Sequence, residues 1–401
     1  MFGDLWLYVT ALLLLIGALS GRTVITVLGM LVFLTDGVTR LWSYLSLRSV
    51  TFEHEFSESR AFHGEHISME IRLNNHKLLP LLWLEMQDQV PEELPLKGAE
   101  LMPSHLSKRL LLSRTTTLAP YERVTWRYGL TCALRGMYWL GPAMVRAGDL
   151  FGMFPRRYEV AQSPMLLIYP RMVPLGELGL PERRPFGDVR SRERIFQDPS
   201  RIAGVREYRP SDPLKHVDWK ATARRQDLQV KQFEPSTTLH LLVLLNIDTL
   251  EHSWEGYIPE LLERAITSAA SVARHAFDRR WAVGLIANGS LPQSEYPIRI
   301  PPNRSADQLI HILEALAGVI PLTTATLAEL IEEESHRFPW GTTIVCVASL
   351  VSEALWAALA RLHQAGHPVT VLNVAQRPLE SLIEGLEVIN LATAPAFSAA
   401  Q

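Results

Sequence analysis

The residues best able to do chemistry lie at residues 204–234, where the chain reads GVREYRPSDPLKHVDWKATARRQDLQVKQFE. Across residues 182–234, 13 Lys or Arg and 9 Asp or Glu make 22 of 53 positions charged, about twice the 20% of the whole chain. Tyr208, Trp219 and Phe233 stand among these charges, although a solvated linker has no need of aromatic side chains. Carboxylates, guanidinium groups and an imidazole at this spacing could form ion pairs, bind a charged partner or transfer protons.

A short helix is predicted at the centre of this segment. Asp212 followed by Pro213 is typical of an N-cap and a first helical position, where the missing N–H of proline costs nothing. On that helix Asp218 shares a face with Leu214 and Ala221, because residues three and four apart lie on the same side. Its carboxylate would then lie beside apolar groups and need a partner.

The partner predicted for Asp218 is a guanidinium group. Arg206 and Arg224 are the candidates, because a guanidinium can bind a carboxylate through two parallel hydrogen bonds. Such a pair would attach the segment to the domain that follows. Two other interpretations stay open. The segment is a docking or ligand surface, or it belongs to a hydrolase in which Asp218, His216 and Asp248 converge in one cleft.

The segment resembles the signature of bacterial proteins that carry domain of unknown function 58. The positions that carry the resemblance are Gly204, Arg206, Tyr208, Asp212, His216-Val217-Asp218-Trp219, Ala223-Arg224, Leu228 and Lys231. Ser211 and Lys215 depart from it, because a Gly and an Arg are usual there. Those proteins are similar to von Willebrand factor A domains and are usually encoded beside MoxR-type AAA+ ATPases. The resemblance implies an interaction surface for such an ATPase at Gly204, Arg206, Tyr208, Asp212, Asp218, Trp219, Arg224 and Lys231.

The same resemblance implies a Mg²⁺ site after the first strand of the domain, in a loop of the form Asp-x-Ser-x-Ser. Mg²⁺ is a hard ion that needs six oxygen ligands in octahedral geometry. Asp248 stands at the first position, but Leu250 and His252 replace the two serines, and Ser253 is one residue out of register. Later hydroxyls could come from Thr323, Thr324 or Thr326. Residues 348–350 supply no carboxylate. We therefore expect a degenerate site at Asp248 that binds no Mg²⁺, and no other cofactor.

Two apolar runs open the chain, at residues 5–19 and 23–35. A membrane span needs about 20 residues, which each run reaches when its polar flanks are included. We therefore predict a transmembrane helical hairpin over residues 1–48. A signal peptide is the alternative, since Ala18-Leu19-Ser20 could be cleaved, but its flank Met-Phe-Gly-Asp lacks basic residues.

The charges that flank these runs predict the orientation in the membrane. Arg22 is the single basic residue between the two runs, whereas Arg40, Arg48 and Arg60 follow the second. Basic residues favour the cytoplasmic side. The soluble domains are therefore expected to face the cytoplasm from a bacterial inner membrane.

A β-sandwich of immunoglobulin-like architecture is predicted for residues 49–170, where the hydrophobic period is two. The alternation is clear at Ile67, Met69, Ile71 and Leu73. One cluster in this region has metal-ligating residue types, namely His54, Glu55, His63, Glu65 and His66. It fits either a zinc site or a plain turn that leads into a strand.

Residues 181–395 are predicted to join the signature segment (181–234) to an α/β domain. Strand-like runs at residues 239–247, 281–287, 342–348 and 369–374 alternate with amphipathic helical runs. That order is typical of a parallel sheet with helices on both faces. Together with the resemblance, it implies a Rossmann-type domain similar to von Willebrand factor A.

Composition and sequence motifs narrow the range of possible functions. The net charge is −3, which does not indicate a nucleic-acid partner. Cys132 and Cys346 lie in apolar runs and are expected to be buried thiols. The sequence lacks the phosphate-binding and hydrolase motifs. We expect a membrane-anchored, non-enzymatic adaptor in contact with the lipid bilayer. It would work with a MoxR-type ATPase, and with other membrane or von Willebrand factor A-type proteins, in the assembly or maturation of complexes.

Overall fold

The computed structural model describes residues 2–19, 21, 23–181, 197–209, 212, 216–235, 239–251, 255–292 and 294–398. The chain divides into two compact units, Met1–Pro170 and Arg171–Gln401.

Two helices begin the first unit, α1 (Phe2–Leu19) and α2 (Thr23–Ser46). Gly17 lies where they meet, because a Cβ there would come within 3.0 Å of backbone atoms of Ile25 and Thr26. Within the described residues, α2 is long and apolar enough to cross a membrane by length and composition, with a mean hydropathy of 1.7.

The rest of the first unit is made of β-strands. They are β1 (Val50–Phe56), β2 (Arg60–Ala61), β3 (His66–Asn75), β4 (Leu81–Pro91), β5 (Leu96–Lys97), β6 (Leu101–Pro103), β7 (Arg109–Leu118), β8 (Arg123–Thr131), β9 (Gly136–Trp139), β10 (Ala143–Ala147), β11 (Arg156–Val160) and β12 (Met165–Ile168). Two larger sheets have the orders β1-β3-β8-β5 and β11-β10-β4-β7-β6, and a small one has the order β2-β12-β9.

The predicted alternation in β3 is present in the structure. Met69, Ile71 and Leu73 are fully buried and join one core with Leu84 and Met86 of β4. Because every second residue of a strand faces the same way, each of the two sheets contributes one apolar face to this core. The residues between them face outward.

A buried histidine–carboxylate pair lies inside the first unit. Nδ1 of His54 is 2.7 Å from Oδ2 of Asp88, and its Nε2 is 2.9 Å from the carbonyl oxygen of Gln162. Both ring nitrogens therefore face acceptors. Burial alone lowers the pKa of His54, but the hydrogen bond and charge of Asp88 and the carbonyl of Gln162 outweigh it, and the pKa is raised.

The possible zinc cluster is not assembled around His54. Glu65 accepts a hydrogen bond from the backbone N–H of Phe62 at 2.8 Å, and His66 contacts the hydroxyl of Thr131 at 3.0 Å. Residues 54–66 are all described, and no group of three or more metal-ligating side chains is found in the described chain. Of the two interpretations, the turn that leads into β3 fits these contacts.

The second unit contains the predicted strand–helix alternation. Its elements are β13 (Gln197–Glu207), α3 (Trp219–Arg225), β14 (Gln229–Pro235), β15 (His240–Leu245), α4 (Pro259–Asp278), β16 (Ala282–Leu291), β17 (Ser294–Asn303), α5 (Gln308–Gly318), β18 (Ile320–Thr323), α6 (Leu327–Glu334), β19 (Thr343–Ala348), α7 (Glu353–Gln364), β20 (Val369–Asn373), β21 (Glu387–Asn390) and α8 (Pro395–Ser398).

The main sheet of this unit has the order β17-β16-β15-β19-β20-β21, and β18 also pairs with β16. Strands β16, β15, β19, β20 and β21 are parallel, whereas β17 and β18 run antiparallel to β16. Residues Leu241–Leu245 of β15 are all buried, as expected for a parallel strand with both faces covered. The sequence analysis did not predict the antiparallel strands β17 and β18.

We predict that Asp88→Asn destabilises the first unit by about 3 kcal/mol, because it leaves a buried imidazolium without its counter-charge. The raised pKa of His54 stabilises the fold fully below its unfolded value near 6.5, and this contribution is lost as pH rises through the folded pKa. The pH dependence should therefore shrink in the variant.

Thiol labelling in urea, read by peptide mass spectrometry, checks this prediction. Cys132 is buried in the first unit and Cys346 in the second, so each unit carries its own probe. Exposure of Cys132 should increase in Asp88→Asn and that of Cys346 should not. The exposed His105→Gln serves as the control. Equal labelling of Cys132 in Asp88→Asn and the unmodified chain would contradict the prediction.

Candidate functional site

The signature segment folds around an antiparallel pair of strands. β13 and β14 pair with Val205 opposite Lys231 and Arg206 opposite Val230. Val217 bridges to Val230, and both side chains are buried. These two valines form a small apolar contact, and the polar residues of the signature are arranged around it.

Arg206 pairs with Asp212, not with Asp218. Its Nη1 and Nη2 donate to Oδ2 and Oδ1 of Asp212, both at 2.7 Å, and the backbone N–H of Arg209 donates to Oδ2 at 2.8 Å. The hydrogen bond from Arg206, followed by that from Arg209, lowers the pKa of Asp212 to about 2. The prediction that Arg206 binds Asp218 is therefore wrong, because a bidentate carboxylate lies nearer along the chain.

Asp218 is an N-cap. Its Oδ1 accepts hydrogen bonds from the backbone N–H groups of Lys220 at 3.0 Å and Ala221 at 3.1 Å, and α3 begins at Trp219. The helix predicted to start at Asp212 falls on residues outside those the structure describes and stays a prediction, whereas the helix that Asp218 caps begins at Trp219. Among the ion pairs of the described residues, none joins Asp218 to Arg224, whose side chain is exposed. Residues 213–215 lie outside the described residues.

An apolar and basic set of side chains is exposed on this segment, together with the acidic Glu207 and Asp227. We call it the signature surface, and it comprises Val205, Trp219, Lys220, Arg224, Arg225 and Leu228. Trp219 is 69% exposed in the first turn of α3. Tyr208, Lys231 and Gly204 are half-buried beside it. An exposed tryptophan with flanking cations is typical of a recognition surface, because buried Trp and Arg contribute much of the binding energy at interfaces.

A second candidate site lies at the carboxyl end of the parallel sheet. A cleft of about 400 Å³ opens there and is lined by Asn246, Asp248, Thr323, Thr326, Leu350 and Ser352, among others. Strand β15 lies between β16, the next strand along the chain, and β19, so the order of the strands reverses its direction at β15. In open α/β sheets this reversal point is the usual place for ligands.

Amide groups fill the space around Asp248. Nδ2 of Asn288 donates to Oδ2 of Asp248 at 2.7 Å and to Oδ1 of Asn246 at 3.0 Å. Oδ1 of Asn288 accepts from the backbone N–H of Ile247 at 2.9 Å, and Asn246 donates to the carbonyl of Leu350 at 2.9 Å. Burial raises the pKa of Asp248, while the hydrogen bond from Asn288 opposes the shift.

These residues do not fit Mg²⁺. Asn288 donates a hydrogen bond to Oδ2 of Asp248, so one carboxylate oxygen is already engaged, and an N–H donor is no ligand. The hydroxyl groups of Thr326 and Ser352 accept N-cap hydrogen bonds from Glu329 and Leu355. The described residues contain no cluster of three acidic, histidine or cysteine side chains. His252 and Ser253 lie outside the described residues.

Sequence reasoning missed Asn246 and Asn288, although a signal for Asn246 was present. Asn246 is a polar residue that ends the apolar run of β15, and a polar side chain in such a place must find partners. Asn288 gives a weaker signal, since it lies in an ordinary strand. The other sequence-based grouping, in which Asp218 and His216 join Asp248, finds no support in the cleft, since neither lines its described wall.

Comparison with known proteins shows a similarity over part of the chain. Residues 204–391 match the family model described as "Protein of unknown function DUF58". The resemblance noted in the signature segment is therefore confirmed over those residues. A curated relative, the uncharacterized protein YeaD of Bacillus subtilis (strain 168), is 24% identical over 268 residues, which cover 66% of this chain. The chain spans 62% of the length of that relative.

Solved structures similar to part of the chain include cohesin modules and a CARDB domain. A non-cellulosomal cohesin from Archaeoglobus fulgidus is 10% identical and covers 30% of this chain and 91% of its own, with a TM-score of 0.21. The CARDB domain of the PF1109 protein from Pyrococcus furiosus is 12% identical over the same shares, with a TM-score of 0.20.

We predict that Asp218→Ala destabilises α3 by about 1 kcal/mol, whereas Asp218→Asn changes its stability by only a few tenths, because an asparagine oxygen also caps a helix. Hydrogen exchange at the amides of Lys220 and Ala221 measures both effects. Equal losses in the two variants would show that the charge of Asp218 matters, and would restore an ion-pair role.

We also predict that Mg²⁺ does not stabilise the unmodified chain in a saturable way. Asn288→Asp should destabilise the second unit, because it places a second carboxylate against Asp248 and removes the donor that satisfies it. Mg²⁺ should partly rescue that variant, since bound ligand stabilises the folded state. Labelling of Cys346 against Mg²⁺ concentration measures both responses. Saturable protection of the unmodified chain at micromolar Mg²⁺ would contradict the degenerate site.

Proposed function

We propose that this chain is a membrane-anchored, non-enzymatic adaptor whose second unit binds a MoxR-type AAA+ ATPase, in the assembly or maturation of protein complexes. The observation that carries the proposal is the signature surface, in which Trp219 is exposed together with Lys220, Arg224 and Arg225. In this proposal the partner has an apolar pocket for Trp219 and carboxylates around that pocket for the basic side chains.

The framework under this surface supports recognition more than catalysis. Asp212 is engaged by Arg206 and by a backbone N–H, and Asp218 is engaged by two backbone N–H groups. Both carboxylates therefore have structural roles as hydrogen-bond acceptors. Their contacts hold α3 and its flanking chain in one geometry, which lowers the entropy lost when a partner binds.

The observation that favours a hydrolase is the raised pKa of Asp248 in a cleft, since shifted pKa values are enriched at active sites. The neighbours of Asp248 argue against it. Its described hydrogen bonds are to the side-chain amide of Asn288, the hydroxyl of Ser349 through its carbonyl, and Asn246 through its N–H. This arrangement fixes the loop after β15.

The anchor in this proposal is the α1–α2 hairpin, with α2 as the span that length and composition support. Arg40 and Arg48 follow the apolar part of α2, which favours a cytoplasmic location for both units. In the proposal the second unit is of von Willebrand factor A type without a working metal site. The parallel order of β15, β16 and β19 supports that assignment.

We predict that Trp219→Ala weakens binding of the MoxR-type ATPase of the same organism by about tenfold or more, because an aromatic anchor at the centre of an interface contributes at least about 1.4 kcal/mol. The test is co-purification from membranes with the ATPase locked in its ATP-bound state, followed by titration. Tyr296→Ala is the matched control, since Tyr296 is another exposed aromatic residue of the same unit.

Hydrogen exchange should show the same protection of α3 in Trp219→Ala as in the unmodified chain, because an exposed side chain contributes little to the fold. Retention of full ATPase binding by Trp219→Ala would contradict the assigned surface. Loss of binding in Tyr296→Ala but not in Trp219→Ala would move the interface to β17.

A further inference from the structure

The carboxyl-terminal end of α2 would lie at the membrane–water interface. At 1.5 Å per residue, the 24 residues of α2 are about 36 Å long, and the hydrocarbon core is about 30 Å thick. The last turns, from Arg40 through Tyr44, therefore reach the level of the lipid headgroups. Tyr and Trp are enriched at that level, and Trp42 and Tyr44 are present here.

A loop of the first unit is fixed beside these turns. The carboxylate of Asp149 accepts hydrogen bonds from the backbone N–H groups of Phe151 at 3.1 Å, Met153 at 3.3 Å and Phe154 at 2.7 Å. The hydroxyl of Ser43 on α2 donates to the carbonyl of Phe154 at 2.5 Å. The loop therefore has one defined conformation against α2.

This loop presents apolar side chains outward. Leu150 is 53% exposed, Phe151 65% and Met153 49%. Three large apolar side chains exposed within four loop residues are costly in water. Since they emerge next to the end of an apolar helix, the medium that would cover them is the interfacial layer of the same bilayer.

A basic cavity of about 510 Å³ lies between the loop and α2, and Arg40, Ser43, Phe154, Arg156 and Arg157 line it. The guanidinium of Arg40 stacks on Phe154 at 4.6 Å and pairs with Asp36 at 2.8 Å. That of Arg156 lies 5.3 Å from the ring of Tyr44. Within the described chain, Arg156 and Arg157 form no ion pair with a carboxylate, so the cavity keeps positive charge.

Strand pairing concentrates this charge further. Arg157 of β11 stands directly opposite Arg146 of β10. Like charges in opposing positions repel, and Glu85 reaches Arg146 only at 3.4 Å. An anion in the cavity would relieve this repulsion. Phosphate oxygens suit guanidinium groups, which bind them through paired hydrogen bonds.

We propose that this cavity binds the headgroup phosphate of an anionic phospholipid, with Leu150, Phe151 and Met153 inserted among the acyl chains. The lipid would hold the first unit against the membrane at a defined height. The inference rests on the membrane anchor of the proposed function and is independent of the ATPase partner.

Native mass spectrometry of the detergent-solubilised full chain tests the proposal, with dioleoyl phosphatidylglycerol and dioleoyl phosphatidylcholine as probes. The unmodified chain should retain phosphatidylglycerol in preference. The double variant Arg156→Gln and Arg157→Gln should bind it roughly thirtyfold more weakly, because each of the two basic residues near a membrane contributes about 1 kcal/mol. Arg127→Gln, an exposed arginine on β8 in another sheet, is the matched control and should bind as the unmodified chain does.

Phe151→Ser, at an exposed position, should also weaken retention of phosphatidylglycerol, because the loop loses its apolar contact. Inorganic phosphate should compete poorly. If it displaces the lipid completely, or if Phe151→Ser binds unchanged, the site is one for a soluble phosphate and the lipid assignment is overturned. Equal phosphatidylglycerol binding by the double variant and the control overturns it as well.

Membrane fractionation distinguishes a failure of the membrane anchor from a failure of the lipid site. Absence of the unmodified chain from membranes would overturn the anchor and the lipid site together. Membrane localisation with loss of lipid selectivity would overturn the lipid site alone.

Discussion

The burial of β15 on both faces is the constraint on which the second unit depends. A central parallel strand can bury apolar side chains on both faces. At its carboxyl end, however, buried polar groups must form hydrogen bonds. Asn246, Asn288 and the backbone of Ile247 supply these partners at the carboxyl end of the sheet. Asp248 is held by the same amides. The geometry of the cleft is therefore a consequence of how the strand ends.

This origin supports the expectation that the cleft binds no Mg²⁺. A metal-binding loop needs carboxylate and hydroxyl oxygens that are free to turn inward. Here the amide of Asn288 donates to Asp248, and Thr326 and Ser352 cap helices α6 and α7. Each of these three side chains already has a structural hydrogen-bond partner, although Thr326 and Ser352 are themselves exposed. In these contacts the side chains stabilise the loops around the cleft.

The sequence predicted the elements well where the hydrophobic pattern was long. The runs at 239–247 and 342–348 became β15 and β19, because a strand covered on both faces needs a continuous apolar run. The partners of the carboxylates were harder to predict. Asp212 and Asp218 are both possible N-caps and possible ion-pair partners for Arg206, and the choice depends on where the chain turns. Residue types alone do not specify that turn.

In the signature surface and in the loop beside α2, a carboxylate accepts hydrogen bonds from backbone N–H groups. Asp149 is bound to backbone N–H groups of its own loop, and Asp218 is bound to those of α3. A carboxylate used in this way orders the backbone and no longer neutralises a neighbouring arginine. Arg156 and Arg157 near α2, and Arg224 and Arg225 on α3, are consequently left as cations beside exposed apolar side chains. Rigid loops that present both kinds of group are suited to binding partners that are themselves apolar and negatively charged.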